Sequence, residues 1–69
     1  MTFTYEVERE VDGRWIVEIR ELPGCMAYGA SRDAALMAAQ ALAFRVLADR
    51  IEHAEQAQAV PSVAFVEAA

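Results

Sequence analysis

Lysine is absent from this 69-residue chain, and cysteine, histidine and tryptophan occur once each. A lone Cys25 leaves no partner for an internal disulfide, so the fold is not stapled covalently, and a single thiol fits a reducing compartment. One cysteine and one histidine, His53, do not make a metal site, and no cofactor is expected. All six basic residues are arginine, set against eleven acids for a net charge of −5. That balance excludes sequence-independent binding to phosphate backbones, which needs a basic face, and suits a basic partner. No apolar run approaches membrane-spanning length and no charged-then-apolar start resembles a signal peptide, so the expected setting is the cytoplasm, without a membrane.

What remains is rich in small apolar residues: 15 of the residues are alanine, which favours helix but contributes little burial. At 69 residues there is room for one domain, 1–69, and one small core, so self-association is expected to supplement it.

Residues 3–11 alternate, with Phe3, Tyr5, Val7 and Val11 on one side and Thr4, Glu6, Glu8 and Glu10 on the other. Residues 14–20 alternate as well, with Trp15, Val17 and Ile19 facing one way. Both patterns predict half-buried strands, and Asp12-Gly13 marks the hairpin between them. Register decides the loop. A two-residue turn would set Val7 against Glu18 and Glu8 against Val17. A three-residue loop, Val11-Asp12-Gly13 with Gly13 left-handed, pairs Glu10 with Arg14, Val7 with Val17 and Tyr5 with Ile19. Since one residue of slip turns over every side chain, the second register is the expected one, with Arg9 opposite Trp15 and stacked at the rim.

Leu22-Pro23-Gly24 ends the second strand, because proline lacks a ladder donor and glycine permits the turn. A short third strand is expected over 25–28. Ser31 then N-caps a helix over about 32–57, a stretch free of glycine and proline, with Asp33 at its positive end. Leu36, Gln40, Phe44, Leu47 and Ile51, flanked by Met37, Ala43 and Ala54, lie at helical spacing and are the expected sheet-facing stripe. Ala34, Ala38, Ala41, Arg45, Asp49 and Glu52 are expected in solvent. Leu42 and Val46 sit off that stripe, placed either to extend the core or to contact another chain. A last strand is expected over 62–66.

The order is β-β-β-α-β, an α+β fold. Three antiparallel strands followed by a right-handed helical crossover place the fourth strand beside the first, in spatial order 3-2-1-4, with one helix on one face.

Tyr5-Glu6-Val7-Glu8, Asp12-Gly13, Trp15-Ile16-Val17, Glu21-Leu22-Pro23-Gly24-Cys25, Gly29-Ala30-Ser31 and Asp33-Ala34-Ala35, in this order and spacing, resemble the HicB-like antitoxin family. The resemblance covers residues 3 to about 55 and implies a partial ribonuclease-H-like fold. It further implies a role in a toxin–antitoxin system, binding and neutralising a small basic RNA-cleaving toxin by covering its RNA-binding surface. Two positions depart from the family pattern. Ala34 stands where a glutamate usually completes the helix start, and the chain ends at Ala69 without the DNA-binding module of many members, so direct DNA binding is not expected.

Glu6, Glu8 and Glu10, on the side of the first strand turned from the helix, are the electrostatic candidates for contacting such a partner. Alternating glutamates on a solvent-facing strand are also ordinary on their own. Leu42 and Val46 are the apolar candidates for a homo-oligomer interface, in a dimer or tetramer. The competing reading is an orphan oligomeric structural or regulatory module with another protein or a small-molecule partner. An enzyme is not expected. A ribonuclease-H-type nuclease needs clustered carboxylates on the first strand, the helix and the fourth strand to hold two metal ions, and Val63-Ala64-Phe65-Val66 supplies none. Cys25 has no activating neighbour in sequence and reads as a small buried hydrophobe. Trp15 and Tyr28 read as core or interface aromatics.

Overall fold

A computed structural model describes residues 1–54, 59–60 and 62–69. The elements are β1 (Thr2–Arg9), β2 (Trp15–Ile19), β3 (Met26–Gly29), α1 (Arg32–Glu52) and β4 (Ala64–Glu67). They form a four-stranded sheet in the order β3-β2-β1-β4, with the helix packed on one face. β4 runs parallel to β1, pairing Phe3 with Phe65, while the two other pairings are antiparallel.

The hairpin has the register that side-chain matching requires. Val7 faces Val17, Tyr5 faces Ile19, and Arg9 faces Trp15, with the Arg9 guanidinium 5.5 Å from the Trp15 ring centre. The Glu10 amide donates to the Arg14 carbonyl at 2.7 Å and Gly13 takes φ 91°, closing a loop of three residues. Val11, grouped by alternation with the buried side of the strand, stands fully in solvent at the loop tip.

Leu22 to Cys25 form a tight turn, with the Cys25 amide donating to the Leu22 carbonyl at 2.9 Å and Gly24 at φ 82°. Proline then glycine at its two central positions match a type II turn. Glu21 does more than precede it. Its Oε1 accepts the Thr4 amide at 2.6 Å, replacing the backbone acceptor that β1 loses where β2 turns away. This hydrogen bond holds the Glu21 carboxyl below its ordinary pKa. A depressed carboxylate stabilises the fold above the unfolded-state pKa, and that contribution is lost as pH falls through the lower folded value. Glu21→Gln therefore melts below the native protein near neutrality, by a gap that narrows below about pH 4.3. Thermal melts between pH 6 and 3 measure it, and a gap that stays constant with pH contradicts this role for Glu21.

Ser31 caps the helix, its Oγ accepting the Ala34 amide at 3.1 Å, and Asp33 lies in the first turn. At the far end the His53 amide donates to the Asp49 carbonyl. The helix ends at Glu52 rather than 57; positions 55–58 lie outside the described residues. The strands differ from their expected spans by one or two residues at every end, which is where ladders and loops exchange hydrogen bonds. One such shift matters. Glu67 belongs to β4, on the helix side of the sheet, and its carboxylate takes the Arg32 guanidinium.

The stripe that the helix presents to the sheet overlaps the expected one only in part: Ala43 and Leu47 are buried and Leu36 and Gln40 half-buried, but the rest is rotated away. Ala35, Ala39 and Ala43 are fully buried with Leu47, against Val17, Ile19, Phe3, Leu22 and Cys25. Met37, Phe44 and Ile51 are instead 69%, 51% and 52% exposed. Leu36 is half-buried, and Ala34, Ala38, Ala41, Arg45, Asp49 and Glu52 are in solvent as expected. The cause is distance. A Cβ on Gly29 would stand 2.4 Å from the Ala35 nitrogen, so β3 and the start of α1 pass nearly backbone to backbone. Only methyl groups fit near that approach, Leu47 being buried three turns further along, and Met37, Phe44 and Ile51 lie outward.

Candidate protein-interaction face

The helix covers one face of the sheet, packing mainly on β2 and β3, and among the described residues no element lies over the other face. Because side chains alternate along a strand and paired residues share a face, the pairings define what this open face carries. One row across the sheet is Glu8, Ile16 and Tyr28; the next is Glu6, Glu18 and Met26. Ile16 is 8% exposed although it stands apart from the main core, sheltered by its neighbours on this face. Met26 and Tyr28 are exposed.

The surface is thus apolar towards β3 and acidic towards β1. A shallow groove of about 440 Å³ runs over Glu6, Glu8, Ile16, Glu18 and Met26 and out past Glu67. β4 pairs only with Thr2 to Tyr5, so the later half of β1 is an open edge beside this groove. Three carboxylates of the open face, Glu6, Glu8 and Glu18, and one guanidinium, Arg20, line it, for a formal charge of 1 − 3 = −2, while Glu67 at its end is paired with Arg32. Arg20 binds Glu6 at 2.6 Å, whereas Glu8 and Glu18 have no salt bridge among the described residues. Arg14 lies over the Tyr28 ring, 4.6 Å from its centre, at the apolar end.

The three glutamates singled out by alternation are not brought together. Glu6 and Glu8 share the groove, but Glu10, just past the end of β1 and half-buried, is not among the residues that line it. Its amide still pairs with the Arg14 carbonyl, so it stands one step beyond the groove, at the base of the hairpin loop. The missed residue is Glu18. It was legible in principle, since the register that opposes Val7 to Val17 also opposes Glu6 to Glu18. Two carboxylates directly across an antiparallel pair repel each other, an unfavourable arrangement that the Arg20 guanidinium relieves on the Glu6 side.

Leu42 and Val46 are half-buried and pack against the core. With Leu22, Pro23, Gly24, Cys25 and Arg50 they line a small hollow of about 170 Å³ behind the tight turn. They extend the core there. Cys25 is 3% exposed, with Sγ 3.8 Å from the Ala39 carbonyl, and burial raises its pKa, the opposite of thiol activation. His53 is exposed at the helix end beside Asp49. Trp15 packs against the core and Tyr28 stands on the open face. Among the described residues no three His, Cys, Asp or Glu side chains are grouped so as to hold a metal ion. No described helix is long and apolar enough to cross a membrane.

No family model matches the chain, and neither does any curated protein or solved structure.

Proposed function

We propose that this protein is a HicB-like antitoxin that binds and neutralises a small, basic, RNA-cleaving toxin through the open face of its sheet. The observation that carries this reading is the pairing of unneutralised Glu8 and Glu18 with the apolar Ile16, Met26 and Tyr28 on one uncovered surface. A ribonuclease must hold a polyanion, so its substrate path is lined by cations. A rigid acidic sheet with an apolar floor competes for those cations and excludes water around them. The motif from Glu21 to Cys25 supports the same reading from a second direction. Its parts serve as a ladder acceptor, a tight turn and a buried thiol, so it stabilises the scaffold and leaves the contact to the sheet.

In this reading the chain does no chemistry of its own. It acts in the cytoplasm, where its target would cleave RNA, and it needs no cofactor.

The test is co-expression with the product of an adjacent short reading frame encoding a basic, histidine-bearing protein. The two chains should co-purify at low salt and growth should recover. Glu8→Lys/Glu18→Lys should weaken the complex by about 10-fold or more and steepen toxicity, while Glu10→Lys changes affinity by less than about 3-fold. Failure to co-purify at low salt, with growth still arrested, removes the antitoxin reading. A complex equally indifferent to all three substitutions removes the open face as its site.

A further inference from the structure

The outward side of α1 carries a pattern that the core and the open sheet face leave largely unused, Phe44 alone resting edge-on against Phe65 of β4. Ala34, Met37, Ala41, Phe44, Ala48 and Ile51 are all exposed, and they are spaced alternately three and four residues apart along the helix. That is the a/d spacing of a coiled-coil seam, sustained over the length of α1. It is separate from the buried stripe, whose alanines recur every four residues from Ala35 to Ala43. Small residues occupy every a position and large apolar ones every d position.

We propose that this seam pairs antiparallel with the same seam of a second copy of the chain. The alternation selects both the occupant and its direction. In an antiparallel pair, a positions meet d positions, so Met37 lies against the partner's Ala48, Phe44 against the partner's Ala41, and Ile51 against the partner's Ala34. Every large side chain then meets a methyl group, and no layer holds two large residues or two alanines. A parallel pair would stack Phe44 on its own copy and leave gaps at the alanine layers.

Charge neither selects nor forbids this direction: Arg45 comes beside the partner's Ala38, and Glu52 comes level with the partner's Asp33 but on the opposite flank of the seam. A 21-residue helix is about 30 Å long, and two such strips bury on the order of 1,000 Å² in all, at the weak end of specific interfaces. The expected dimer is therefore reversible, with Kd on the order of 10–100 µM. The proposal concerns the chain alone and does not depend on a toxin.

Sedimentation equilibrium of the full chain across that concentration range should show a monomer–dimer system. Phe44→Glu should weaken it at least 10-fold with the circular dichroism unchanged. Met37→Glu, at the most exposed of the three large positions, should do the same if the first variant disturbs the contact of Phe44 with Phe65. Under mild oxidation Met37→Cys chains mixed with Ala48→Cys chains should cross-link to each other, and neither should cross-link efficiently with itself. Three results would each overturn the proposal: a native chain that stays monomeric to 1 mM, a dimer insensitive to both glutamates, or Ala48→Cys self-linking as readily as cross-linking with Met37→Cys.

Discussion

Gly29→Ala lowers stability by about 3 kcal/mol, as overpacking against rigid backbone does, and drops the melting temperature by about 12–24 °C. The added methyl has nowhere to go. Its contacts would be the Ala35 nitrogen at 2.4 Å and the carbonyl carbon of Ala34 at 2.8 Å. Those atoms belong to the first turns of α1, so relief requires β3 and the helix to separate, which opens the interface around Ala35 and Ala39. A domain of 69 residues has a total stability of about 3–10 kcal/mol at the usual value per residue. Much of that is at stake. The matched control is Gly13→Ala. Gly13 also needs glycine, at φ 91°, but a Cβ there meets open space, so only the backbone preference of about 1–2 kcal/mol is lost. Thermal melts of both variants decide the matter, and a Gly29→Ala protein as stable as Gly13→Ala refutes the close approach.

Ala39→Leu is expected to be comparably damaging, at about 3 kcal/mol or outright failure to fold, while Met37→Gln two residues away changes stability by less than about 0.5 kcal/mol. Ala39 is fully buried, with its carbonyl near the Cys25 thiol, and leucine there adds three carbons to a gap sized for a methyl. Met37 is 69% exposed, so its exchange for an amide of similar length gives up little burial. On hydrophobicity alone the ranking runs the other way: filling an alanine with leucine looks harmless, and losing a methionine looks costly. Chemical denaturation at about 5 µM, below the expected self-association, compares the two directly. A stable Ala39→Leu protein with an unstable Met37→Gln one would mean that the helix is rotated from the orientation described.

Most of the sheet was legible because strand residues carry a binary choice. Val7 against Val17 and Tyr5 against Ile19 admit one register, and that register entails the loop, the position of Arg9 over Trp15 and the composition of the open face. The site was legible to the extent that it followed from the same pairing. Glu6 and Glu8 were found, Glu10 was carried past the end of the ladder, and Glu18 was missed because it lies on the second strand among apolar neighbours. The role of Glu21 had no sequence signal, since its carboxylate serves an amide seventeen residues away.

The sequence by itself determined the order of the elements, the hairpin register, the turn at Pro23-Gly24 and the cap at Ser31. Each of these rests on local chemistry: side-chain period, proline and glycine backbone limits, or a hydroxyl within three residues of an unpaired amide. Those local choices, with the handedness of the crossover, also imply the strand order. Only the tertiary structure decided which side of α1 faces the core. A helix with alanines on every side offers no strong apolar direction, and the side with the larger hydrophobes reads as the inner one. The separation of β3 and α1 at Gly29 reverses that reading, because a gap one methyl deep selects for small volume over hydrophobicity. Met37, Phe44 and Ile51 are consequently turned to the surface.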